Sequence, residues 1–139
     1  MSDNGPMTDF HAALRAARGL VAAACVSLAA GFTVPAAAGE ADVLAVKTAR
    51  EAGGTWRFDV TIRSRDRGWD YYCDRFEVVA PDGRVLGTRV LLHPHTDEQP
   101  FTRELAGVKL PAGLRRVVVR AAMKPGGAGG ETREAVLEP

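Results

Sequence analysis

The sequence is short of the residues that staple small domains or supply their chemistry. Of its 139 residues only two are cysteine and three are histidine, and aromatic side chains make up 6%. Cys25 lies in an apolar N-terminal run, which leaves Cys73 as the one thiol downstream and excludes an internal disulfide there. A lone thiol outside the cytoplasm is buried and inert, pairs with another molecule, or binds metal. An excess of one charge is also missing. Once Arg15, Arg18, Asp3 and Asp9 of the N-terminal segment are set aside, 16 basic and 15 acidic residues remain. That balance argues against a nucleic-acid partner, for which a basic face is expected. No serine stands in a nucleophile-elbow pattern and no glycine pattern fits a phosphate loop. Past residue 39 there is neither a helical apolar period of useful length nor an internal repeat.

The N-terminal segment reads as a leader. Arg15 and Arg18 precede an uncharged apolar run from Gly19 to Val34, followed by Pro35 and Ala36-Ala37-Ala38-Gly39. Basic flank, apolar centre and small-residue exit predict a secretory signal peptide over residues 1–38, cleaved after Ala38, with Met7 an alternative start. An uncleaved anchor needs about 20 strongly apolar residues, whereas this run is mostly alanine and meets Pro35. A lipoprotein reading would acylate Cys25, but only six residues separate it from Arg18. The predicted location is periplasmic or secreted, with membrane contact only through this segment if it stays uncleaved.

Residues 39–139 are strand-like. Thr55 to Arg63 is the clearest case, with Trp56, Phe58, Val60 and Ile62 on one face and Arg57, Asp59, Thr61 and Arg63 on the other. Asp42 to Arg50 predicts a first strand, with Leu44, Val46 and Thr48 opposite Val43, Ala45 and Lys47. Tyr71 to Ala80 and Val85 to Leu92 flank Pro81-Asp82-Gly83-Arg84, in which proline presets φ and glycine supplies a positive one, so they predict a hairpin. His93 to Pro100 predicts a loop, because Pro94 and Pro100 lack the donor that a ladder needs. Phe101 to Leu105, Leu114 to Met123 and Glu131 to Leu137 complete about seven strands, and Val117-Val118-Val119 predicts one covered on nearly both faces. Short strands with closely spaced turns predict an all-β, antiparallel β-sandwich of the immunoglobulin or fibronectin type III kind. The Leu110-Pro111-Ala112-Gly113 turn would carry the chain from one sheet to the other.

Three blocks carry a resemblance: Gly68-Trp69-Asp70-x-Tyr72-x-Asp74, Pro81-Asp82-Gly83-x-Val85-Leu86-Gly87-Thr88-Arg89-Val90-Leu91, and His93-Pro94-His95-x-x-Glu98-Gln99-Pro100-Phe101-Thr102-Arg103. Through them most of residues 39–139 resembles a family of small exported bacterial proteins of unassigned activity. Many members of that family have histidine where this chain has Tyr71, and Val-His-Gly near Pro125-Gly126-Gly127. The resemblance therefore extends to His93, His95 and Glu98, and it implies that any metal site built on all the family's histidines is incomplete here.

The stretch from Leu91 to Arg103 is the densest in chemistry. In extended backbone His93 and His95 would project from one face with Cα atoms roughly 6.5–7 Å apart, close enough to share an ion. With Glu98 or Asp97 as third ligand they form a candidate site for weak binding of copper or zinc. Cys73 and Met123 are remote soft donors, but their order does not match a cupredoxin cluster. The competing expectation is that both imidazoles bond loop backbone and hold a proline-rich crossing in place. Adjacent Asp97 and Glu98 suit loop capping and pairing with Arg103 better than acid/base catalysis, which needs carboxylates about 5–9 Å apart across a bond. Trp69, Tyr71 and Tyr72 could form a platform, although alternation would send Tyr72 away from the other two, and Trp69 or Tyr72 is expected in the core or covering a sheet end. The sequence thus predicts a non-enzymatic exported module, either a weak transition-metal binder or a protein or glycan interaction domain.

Overall fold

A computed structural model describes residues 40–138. The expected leader lies outside them.

Within the described residues the chain forms eight strands: β1 (Ala41–Arg50), β2 (Trp56–Ser64), β3 (Tyr72–Val79), β4 (Val85–Val90), β5 (Phe101–Val108), β6 (Arg116–Lys124), β7 (Gly127–Ala128) and β8 (Arg133–Val136). One sheet has the order β1-β2-β5 and the other the order β4-β3-β6, with β7 and β8 both pairing with β6. All pairings are antiparallel. The domain is a two-sheet β-sandwich with the strand order of a fibronectin type III module. The expected final strand, Glu131 to Leu137, is present as β8, and the glycine-rich segment before it adds the two-residue β7.

The alternation in β2 has the effect it predicts. Phe58, Val60 and Ile62 are fully buried and Trp56 packs against the same core. Facing them from the second sheet are Cys73, Phe76, Val78, Val117 and Val119, all fully buried. Val118 is half-buried, so β6 is covered nearly on both faces. The turn at Pro81 closes as expected: Ala80 N–H donates to the Arg84 carbonyl at 2.8 Å, and Gly83 adopts φ 92°. The connection after β5 does carry the chain between sheets, because β5 belongs to one and β6 to the other.

Two bulges decide what strict alternation could not. In β1 the register with β2 shifts between Val43 and Ala45, leaving Leu44 unpaired. Val43, expected opposite Val46, is instead fully buried while Val46 also packs on the core. In β3 the register with β6 shifts between Cys73 and Arg75. An extra residue flips the faces beyond it, so Cys73 and Phe76, three apart, both point inward.

On the outward face of the larger sheet, Glu77 lies opposite Arg120 and accepts from its Nε at 2.6 Å and from Arg75 Nε at 3.2 Å. Partial burial works to raise the Glu77 carboxyl, but the two guanidinium hydrogen bonds outweigh it and hold it below the ordinary carboxylate range.

Three connections switch sheets: residues 65–71 between β2 and β3, residues 91–100 between β4 and β5, and residues 109–115 between β5 and β6. The first two meet at one end of the sandwich. There the His-Pro-His segment is built into the fold.

Candidate functional site

The 65–71 connection folds back on itself. Tyr71 N–H donates to the Gly68 carbonyl at 3.1 Å and Arg67 N–H to the Tyr71 carbonyl at 2.8 Å, with Gly68 at φ 125°. This turn points Asp66 inward, and its side chain has no exposed surface. Its Oδ1 accepts from Cys73 N–H at 2.8 Å and its Oδ2 from His95 N–H at 2.8 Å. One buried carboxylate therefore ties the start of β3 to the β4–β5 crossing.

Gln99 fastens the same crossing from the other side. Its Oε1 accepts from Ser64 N–H at 2.9 Å, and its Nε2 donates to Ser64 Oγ at 3.1 Å and to the His95 carbonyl at 2.9 Å. Both backbone polar groups of His95 are thus held by side chains, one from Asp66 and one from Gln99. The peptide bond from Gln99 to Pro100 is cis. Leu91, at the start of the crossing, is buried and donates its N–H to the Asp74 carbonyl at 2.8 Å.

The His95 ring is buried, with 3% of the residue exposed. It stacks on Phe101 with centroids 3.9 Å apart and planes 9° from parallel. The His93 ring lies 4.5 Å from it at 39°. Both ring nitrogens of His95 are closed off without a hydrogen-bond partner. The nearest carboxylate oxygen, Asp66 Oδ2, is 3.8 Å from Nδ1, too far for a hydrogen bond. Burial lowers the basicity of this imidazole, and the neighbouring charges of Arg103 and His93 lower it further, against the opposing pull of Asp66 and Glu98. A neutral ring pressed against Phe101 acts as a flat packing element.

The other two predicted ligands are placed differently. His93 is exposed, and its Nδ1 is 3.0 Å from the Pro94 carbonyl oxygen. The Glu98 carboxylate is engaged by Arg103, with Nη2 to Oε2 at 3.1 Å and Nη1 to Oε1 at 3.4 Å. That hydrogen bonding and charge pairing keep the Glu98 carboxyl below its ordinary range. The structure therefore brings His93 and His95 together and gives Glu98 to Arg103, as the local spacing suggested for a loop pair. Among the described residues no group of three or more His, Cys, Asp or Glu side chains is arranged to hold a metal ion. Asp97 is exposed.

Cys73 resolves to the first of its three sequence alternatives. Its side chain is fully buried, its Sγ lies 3.6 Å from the Arg75 carbonyl oxygen, and burial pushes the thiol up to about 12. Met123, its register partner on β6, is buried as well. In the folded protein Cys73 is expected to resist a thiol-specific aromatic disulfide reagent at pH 8 and to react fully in denaturant. Stoichiometric labelling of the native protein on the mixing timescale would contradict this.

The aromatic group departs from strict alternation. Because residues 68–71 form a turn, Trp69 and Tyr72 approach each other edge-on, with centroids 5.8 Å apart. Tyr72 is buried and Trp69 is 67% exposed, so the core expectation holds for Tyr72. Tyr71 instead packs beneath the Arg67 guanidinium at 4.8 Å.

Asp66 and Gln99, which organise this end of the sandwich, had no sequence signal of that role. Asp66 sits among arginines and glycine in a segment that reads as an ordinary charged loop. Its inward direction depends on the turn at Gly68.

No family model matches the chain, and no solved structure matches it significantly. A curated relative in Halomicrobium mukohataei, named "Putative lipoprotein", is 38% identical over 92 residues, which is 66% of this chain and 45% of the relative. The chain thus spans less than half the length of the curated relative that it matches.

Proposed function

We propose that residues 39–139 form an exported, non-enzymatic β-sandwich module in which the His-Pro-His loop is scaffold and a protein or glycan partner meets another surface. Export is supported by the leader pattern over residues 1–38 and by the lipoprotein name of the relative. The observation that carries the scaffold assignment is the state of His95. Its main chain is clamped by Asp66 and Gln99, and its ring is buried against Phe101. The reactive-looking groups nearby are spent on holding the fold: Glu98 on Arg103, Asp66 on two amides, and the Cys73 thiol in the core.

A second reading has its own support. The two imidazoles lie close together, and the nitrogens of His95 have no partner among the described residues. A small rotation of the exposed His93 ring and a local opening of the loop would let both face one Cu(II) or Zn(II), with Glu98 released from Arg103 as a third ligand.

Calorimetric titration of the purified protein with Cu(II) and with Zn(II), beside a His93→Ala/His95→Phe variant, separates the two. The phenylalanine retains the stack on Phe101. Equal heats from both proteins are expected for a scaffold loop, whereas a saturable heat lost in the variant would replace that reading with weak metal binding. Fractionation of the source cell tests export, and recovery in the cytoplasm would overturn it.

A further inference from the structure

At the other end of the sandwich from His95, the core is not closed. Trp56 and Ser64 bound β2, so the two ends are separated by about 26 Å at the rise of an extended strand. Near Trp56 an open pocket of about 400 Å³ is floored by Trp56, Leu110, Leu114 and Leu137 and flanked by Arg50 and Arg115. Its volume lies within the range of small-molecule sites.

Both sheets build it. Arg50 is the last residue of β1 and the register partner of Trp56, which places it on the first sheet beside the indole. Arg115 precedes β6 and accepts a backbone hydrogen bond from Leu137 N–H at 2.8 Å, which places it on the second. Residues 110–115 of the 109–115 connection line the pocket, and Leu114 N–H donates to the Pro111 carbonyl at 3.2 Å.

The charges around the pocket are one-sided. Many arginines elsewhere on the domain pair with carboxylates, such as Arg57 with Asp59, Arg75 with Glu77, Arg103 with Glu98 and Arg116 with Glu134. Arg50 and Arg115 have no ion-pair or side-chain hydrogen-bond partner among the described residues, and no carboxylate lines the pocket. Glu51, next in sequence to Arg50, is occupied by the Thr55 hydroxyl and by Gly107 N–H. Two arginines from opposite sheets therefore line the same pocket as an indole and three leucines, without a carboxylate partner among the described residues.

We propose that this pocket binds a small ring-bearing monocarboxylate, its ring against Trp56 and the leucines and its carboxylate between Arg50 and Arg115. Arginine suits the task because its planar fork matches a carboxylate, and the indole offers a flat apolar face. The ring can be aromatic or a sugar, and both place a carboxylate on a body of the same size. This site is separate from the His-Pro-His loop, so its failure would leave the scaffold reading untouched.

The chain contains only two tryptophans, Trp56 and the exposed Trp69. A Trp69→Phe background therefore makes indole fluorescence a reporter of the pocket. In that background, titration of the full chain with phenylacetate and with glucuronate is expected to give a saturable change for at least one of them. Acetate, which lacks the ring, and benzyl alcohol, which lacks the charge, are expected to give none at equal concentration. Arg50→Gln and Arg115→Gln should each weaken binding about tenfold. Both arginines are exposed, so these variants are expected to melt with the parent. Saturation by phenylacetate alone identifies an aromatic ligand, and by glucuronate alone a sugar acid. The proposal is overturned if neither acid saturates, if benzyl alcohol binds as well as the acids, or if the arginine variants bind unchanged.

Discussion

Replacing Asp66 by alanine is expected to destabilise the domain by about 3–5 kcal/mol, far more than its position in a charged surface loop suggests. The carboxylate has no exposed surface and accepts two amide hydrogen bonds, from Cys73 and His95, both at 2.8 Å. Cys73 is fully buried and His95 nearly so, which keeps water from reaching the abandoned N–H groups readily. Each buried donor left without a partner costs about 1–3 kcal/mol, and hydrogen bonds to a charged acceptor lie toward the upper end. Asp66→Asn should recover part of the loss, since its amide oxygen can still serve one of the two donors while its NH₂ group faces the other. Urea unfolding with an unchanged m-value would measure both variants. A loss below about 1 kcal/mol for the alanine variant would show that the crossing holds without this carboxylate. Hydrogen exchange gives an independent readout, because the amides of Cys73 and His95 should lose protection ahead of the strand amides.

Gly130→Ala is expected to cost about 3 kcal/mol or more, for a different reason. A Cβ at this position would land on the backbone carbonyl of Ala41 and lie 2.7 Å from Asp42 Oδ1. The clash is with main chain, so no rotamer change relieves it, and the edge formed by β1 and β8 has to open. Three contacts close that edge: Val43 N–H to the Glu131 carbonyl at 2.9 Å, Glu131 N–H to Asp42 Oδ1 at 2.7 Å, and Arg133 Nε to the Val43 carbonyl at 3.2 Å. Overpacking of this kind costs about 1–3 kcal/mol before any hydrogen bond is lost. For a domain of this size the shift in Tm should be roughly 12–24 °C, at about 4–8 °C per kcal/mol. Gly129→Ala is the matched control. A Cβ there meets nothing within 4 Å and the residue does not have positive φ, so a change within about 0.5 kcal/mol is expected. Similar melting of the two variants would contradict the close approach at Gly130.

Elements whose cause is local were legible in the sequence. The period-two pattern of Trp56, Phe58, Val60 and Ile62 gave β2 its inward face, and Pro81-Asp82-Gly83 specified the β3–β4 turn. Glu98 and Arg103 pair across a distance that their own loop sets. Reading failed where one inserted residue changed the phase. Period two carries no mark of a bulge, so the shift at Leu44 put Val43 on the inward face with Val46, which alternation would have parted. The turn at Gly68 likewise brought Tyr72 to Trp69 against the alternation that would have parted them.

The sequence by itself determined an all-β, antiparallel sandwich and marked the Leu91 to Arg103 stretch as the densest in polar chemistry, because hydrophobic period and turn residues are local signals. Tertiary structure decided what that stretch does. His93 and His95 do come together, but His95 turns inward onto Phe101 while Asp66, twenty-nine positions earlier, holds its amide. Contacts of that separation depend on which strands become neighbours and in what register. The same holds for Arg50 and Arg115, which meet across one pocket only because their two sheets face each other.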